Sequence, residues 1–114
     1  MDKLRFYKYH GTGNDFVIFD GMDTDVHSLL TQEVIAAICH RRFGVGADGI
    51  MILEDHPTSD FNMIYYNADG RPSSMCGNGG RCLVAFAERM GVFKDRCTFM
   101  AADGLHEAII KDNW

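Results

Sequence analysis

Two periods of apolar residues alternate along the chain. Leu4 to Tyr9 alternates, with Leu4, Phe6 and Lys8 on one face, which predicts a strand. A glycine loop, HGTGND, follows. Phe16-Val17-Ile18-Phe19 then forms a second short apolar strand, closed by Asp20-Gly21. Helical spacing takes over next: Leu30, Val34, Ala37, Ile38 and Arg41 share one stripe. Thr31 can cap this helix, Glu33 suits its first turn and Gly44 can stop it, which predicts a helix over 31–42. Ile50 to Glu54 and Asp60 to Asn67 are again strands. The second carries Phe61, Met63 and Tyr65 on one face and Ile64 and Tyr66 on the other, so little open solvent is expected on either side. Asn67-Ala68-Asp69-Gly70 is a turn.

A second helix is predicted from Asn78 to Met90, with Leu83, Phe86, Ala87 and Met90 at i, i+3, i+4 and i+7 and Gly91 as its stop. Val84 and Ala85 make it apolar most of the way round, the pattern of a helix enclosed by sheet. Cys97 to Ala101 and Leu105 to Lys111 close the chain as strands. Some six strands and two helices make an α+β fold.

Composition narrows the possible partners. With 114 residues and a net charge of −5 the chain is one domain without a basic patch, which argues against nucleic acid. No apolar run approaches the roughly 18 residues of a membrane span. The opening MDKLRFYKYH lacks the pattern of a signal peptide, so a cytoplasmic, reducing location with free thiols is expected. Arg41-Arg42 falls where a helix end favours positive charge. Four cysteines occur without a CxxC and without zinc-finger spacing, so no metal is expected. Cys39, Cys82 and Cys97 read as small core residues.

Cys76 has unusual neighbours. Nine of the twelve glycines fall in four loops, HGTGND, FGVGADG, NADG and CGNGG. Glycine lets backbone approach a ligand closely. GVGADG matches a dinucleotide fingerprint as a string, but it follows a helix and precedes a strand, the reverse of the order that site needs. In Met75-Cys76-Gly77-Asn78-Gly79-Gly80-Arg81-Cys82 a cysteine stands at the mouth of an apolar helix. Unpartnered amides there favour an anion, either a bound carboxylate or the Cys76 thiolate. A helix terminus is worth up to ~2 kcal/mol, or about 1.5 pKa units, enough to bring a thiol near neutrality as a general base. Asn14, Asn67 and Asn78 lie in the same loops, and each amide offers donors and an acceptor to a zwitterionic amino acid. His10 reads as a structural support at a strand end.

HGTGNDF at 10–16, RRFGVGADG at 41–49, NADG at 67–70 and MCGNGGRC at 75–82 together closely resemble the N-terminal half of the diaminopimelate epimerase family, in order and spacing. The resemblance runs from Leu4 to the end of the chain and identifies 1–114 as the N-terminal lobe, with the C-terminal lobe absent. It implies a mixed β-sheet wrapped round a central apolar helix. It also implies an isomerase of lysine biosynthesis that interconverts LL- and meso-2,6-diaminopimelate without pyridoxal phosphate, metal or other cofactor. The intact enzyme would be a homodimer whose substrate lies between two lobes. One cysteine from each lobe would act, one as thiolate base and one as thiol acid. By this analogy Cys76 is catalytic, and Asn14, Asn67, Gly77 and Asn78 bind substrate.

Inversion requires a proton to leave one face and arrive on the other, which a lone base cannot do. No second glycine-framed cysteine is present here, so the isolated lobe is expected to be inactive. Gly49 stands where some members carry a glutamine that touches substrate, and no side-chain role falls to it. Two alternatives remain at this point: a racemase or epimerase for another amino acid, and a noncatalytic module that binds a carboxylate.

Overall fold

The computed structural model describes residues 5–11, 13–22, 25–73 and 77–109. Six strands, β1 (Tyr7–Gly11), β2 (Asn14–Gly21), β3 (Gly49–Glu54), β4 (Phe61–Asn67), β5 (Arg96–Ala101) and β6 (Gly104–Ile109), form one sheet in chain order. The sheet is mixed: β2 runs parallel to β3 and β4 to β5, while the other neighbours are antiparallel. Helix α1 (Gln32–Cys39) lies in the first parallel crossover and α2 (Gly77–Arg89) in the second. The two crossovers advance across the sheet in the same sense between strands of opposite direction. Connections of one hand then place their helices on opposite faces, and the core divides accordingly.

On one face Phe16, Ile18, Met51, Leu53, Phe61, Met63 and Phe99 pack with Leu83, Phe86 and Ala87 of α2. On the other, Val17, Phe19, Ile50, Ile52 and Tyr66 pack with Ile35 and Cys39 of α1. Strands β2, β3 and β4 therefore bury both faces, as their apolar runs require. At β5–β6 the sheet has one covered face, and Leu105 and Ile109 face outward.

Several local expectations are corrected. Helix α1 ends at Cys39 because His40 is extended, so Arg41 is not part of its stripe. Ile35 and Cys39 are its buried pair, whereas Val34 is 39% exposed. The glycine loop folds back over the helix end, where amides of His40, Gly46 and Ala47 take the carbonyls of Ala37, Ile38 and Cys39. A β-carbon on Gly44 would lie 2.0 Å from the Ala37 oxygen, so only glycine permits this return. The N-terminal end behaves as read, with Thr31 Oγ1 accepting the Val34 amide at 3.2 Å. In β1, where alternation left the core face open, Tyr7 and Tyr9 take it, their rings meeting Phe86 at 4.9 and 5.8 Å. Helix α2 buries Cys82, Leu83, Val84, Phe86 and Ala87 and exposes Arg81, Ala85, Glu88 and Arg89.

Candidate active site

Three glycine-framed segments converge on one end of the sheet. Register places Phe16 of β2, Gly49 of β3 and Asn67 of β4 in a single row. Asn14 lies two residues before Phe16 and so shares its face, the one that carries α2. Asn14 is half-buried as the first residue of β2, and Asn67 is exposed as the last of β4. The NADG turn closes by Gly70 N–H donating to the Asn67 oxygen at 2.9 Å, with Gly70 at φ +87°. A β-carbon on Gly70 would strike the Gln32 oxygen at 2.3 Å, so this turn is seated on the start of α1.

The chain enters α2 from this same end. Pro72 bridges to Tyr66, and Ser73 N–H donates to the Tyr65 oxygen at 3.0 Å, four residues before the helix. Gly77 and Asn78 are the first two residues of α2. Cys76 lies outside the described residues. The other cysteines behave as core. Cys39, Cys82 and Cys97 are buried outside any disulfide, and burial pushes the pKa of Cys39 and Cys97 up to about 11. Cys39 and Cys97 therefore stay protonated at neutral pH and carry no base chemistry.

A charged network that sequence patterns do not reveal stands behind Asn14. Arg41 leaves the helix end and grips Asp15 with both arms, Nη1 to Oδ2 at 2.7 Å and Nη2 to Oδ1 at 2.8 Å. Lys8 Nζ adds an ion pair to Asp15 Oδ2 at 2.9 Å and donates to the Gly46 carbonyl. The Arg41 fork first, and then Lys8, hold the Asp15 carboxyl well below the usual carboxylate range, against the opposing effect of burial. Asp48 completes the set. Its Oδ2 accepts from Asn14 Nδ2 at 3.2 Å and from the Asp15 amide at 3.0 Å, and its Oδ1 accepts from Arg41 Nη2 at 3.1 Å. The only advance hint was the clustering of Asp15, Arg41 and Asp48 in the glycine loops. His10 stands exposed in β1 opposite Asp15.

No room exists for a side chain at Gly49. A β-carbon there would lie 2.6 Å from Tyr65 Cε1 and 2.6 Å from the Tyr66 oxygen. The GVGADG loop thus caps α1 and delivers Asp48, and it opens a strand, which leaves it no dinucleotide role.

A sequence profile of the diaminopimelate epimerase family matches residues 6–114. The chain belongs to this family. Relatives described as diaminopimelate epimerase include one from Flavobacterium psychrophilum, 50% identical over 110 residues, which cover 96% of this chain and 43% of that protein. Another, from Aquifex aeolicus, is 35% identical over 118 residues, covering 96% of this chain and 42% of the relative. The chain therefore spans about two fifths of the length of these epimerase relatives. Among solved structures, a probable proline racemase from Agrobacterium radiobacter superposes with a TM-score of 0.69 at 15% identity, covering 96% of this chain and 38% of that one. That likeness speaks for the fold alone: the sheet and two helices of this epimerase-family chain recur in an otherwise dissimilar sequence.

Proposed function

We propose that the chain is the N-terminal lobe of a diaminopimelate epimerase. In this reading the complete protein interconverts LL- and meso-2,6-diaminopimelate in the cytoplasm, as a homodimer and without a cofactor. Membership of the family supports it. So does the convergence of Asn14, Asn67 and the start of α2 on one end of the sheet.

The chemistry follows from that arrangement. Cys76 precedes the first turn of α2, and a helix N-terminus favours a thiolate and a bound carboxylate alike. As a thiolate, Cys76 takes the α-proton. The electron pair passes into the substrate carboxylate, where oriented amides stabilise the added charge. A thiol from the second lobe returns a proton to the opposite face; with the roles reversed, the same pair runs the reaction backwards. Asn14, Asn67, Asn78 and the Gly77 amide hold the amino acid in the plane between the two sulfurs. No described helix is long and apolar enough to cross a membrane, which fits a biosynthetic enzyme acting on a polar metabolite.

The test is exchange of the α-proton of LL-diaminopimelate in deuterated water by the full-length protein, followed by mass spectrometry. Deuterium incorporation with formation of the meso isomer is expected, and neither is expected from residues 1–114 alone. A full-length protein that exchanges proline or another amino acid in preference would overturn the substrate assignment.

A further inference from the structure

Asn14 is useful to an amino-acid ligand only if its amide faces one way, because its two ends have opposite hydrogen-bonding character. We propose that Asp48 is the positioning residue that sets this direction. The inference rests on the proposed function, in which Asn14 contacts the substrate.

A carboxylate only accepts hydrogen bonds, so the end of Asn14 that faces Asp48 Oδ2 at 3.2 Å must be the nitrogen. Rotating the amide by half a turn would set oxygen against oxygen. The Asn14 carbonyl oxygen is thereby directed away from Asp48, as an acceptor suited to an ammonium group. Asp48 is itself held at both oxygens. Oδ2 takes the Asp15 amide at 3.0 Å in addition to Asn14, and Oδ1 takes Arg41 Nη2 at 3.1 Å. Arg41 in turn is clamped on Asp15, which also pairs with Lys8. A further bond, from the Asp48 amide to the Asp15 oxygen at 2.9 Å, ties the start of β3 to β2. The direction of the Asn14 amide therefore traces to a network that the ligand need not touch.

Three donors converge on Asp48, and only a group that accepts on both sides can serve them all. Asp48→Asn has the same shape but must turn its amino group either toward Arg41 or toward Asn14 and the Asp15 amide. Toward Asn14 and the Asp15 amide it sets donor against donor and turns Asn14 loose; toward Arg41 it sets donor against donor there and frees the side chain that orients Asn14.

The experiment is a double-mutant cycle in the full-length protein, with KM and kcat measured for LL-diaminopimelate. Asp48→Asn is expected to raise KM about tenfold, the scale of one lost charge-assisted hydrogen bond. In an Asn14→Ala background the same change is expected to raise KM by less than about twofold, since its route is already removed. A merely structural Asp48 would give the same factor in both backgrounds, and that additive result overturns the proposal, as does an unchanged KM in Asp48→Asn. Arg41→Lys keeps the charge but loses the fork, and it carries the same cycle if Asp48→Asn does not fold. Absence of α-proton exchange in the unsubstituted protein would count against the proposed function instead.

Discussion

Gly49 and Tyr65 compete for one volume: a β-carbon on Gly49 would sit 2.6 Å from Cε1 of the Tyr65 ring. The Tyr66 backbone oxygen blocks the same spot at 2.6 Å, so moving the ring alone does not open it. In the row Phe16–Gly49–Asn67 the middle position thus contributes only backbone, and the Tyr65 ring fills the space beside it.

Gly49→Ala is therefore expected to destabilise the protein by about 1–3 kcal/mol through overpacking. In a Tyr65→Ala background, itself destabilised by loss of the Phe16 contact, Gly49→Ala should cost less but still something, because the Tyr66 oxygen stays in place. Urea denaturation of the full-length variants measures both. A neutral Gly49→Ala would contradict the packing described here.

Asp15 makes stability depend on pH. Its carboxyl titrates lower in the folded protein than its ordinary value of 3.8, because Arg41 and then Lys8 favour the charged form. A depressed value means that the contribution is complete above the unfolded value, and it is lost as the pH falls below about 4. Asp15→Asn should cost about 1 kcal/mol at pH 7, a figure kept small because the Arg41 side chain is 58% exposed and screened. The gap to the unsubstituted protein should shrink steadily from pH 4 to pH 2. A gap that stays constant over that range would show that the ion pair is not its source.

The four cysteines should separate by reactivity. Cys39 and Cys97 are buried, with pKa values pushed up to about 11, and Cys82 is buried as well. Brief alkylation of the native full-length protein at pH 7, mapped by peptide mass, is expected to label Cys76 fastest of the four. Its rate against pH should show a midpoint below the ordinary thiol value of about 8.5. Faster labelling of Cys39, Cys82 or Cys97 would contradict the division into core and reactive thiols.

The sheet and both helices were legible because strand and helix periods differ and the turns carry glycine. What sequence reading missed has physical reasons. Helical spacing continued through Arg41, but α1 stops at Cys39 because the glycine loop returns to satisfy its last carbonyls, a contact that periodicity does not encode. Before β1, Leu4 and Phe6 continue the face of Lys8 in the sequence pattern, so alternation alone could not decide that the Tyr7 and Tyr9 face meets Phe86. At β6, Leu105 and Ile109 face outward while His106 and Ala108 face inward, the reverse of what polarity suggests. In the candidate site, the asparagines and glycines stand out by composition and loop placement. The Arg41–Asp15 clamp joins residues 26 positions apart, and its members look like ordinary surface charges until the fold brings them together.

The most direct test of the account is α-proton exchange in the full-length protein with and without Cys76. The unsubstituted protein should incorporate deuterium at the α-carbon of LL-diaminopimelate and release the meso isomer, while Cys76→Ala should lower both by at least about a thousandfold, as loss of an essential acid–base group does. Exchange that continues at a comparable rate in Cys76→Ala would contradict it.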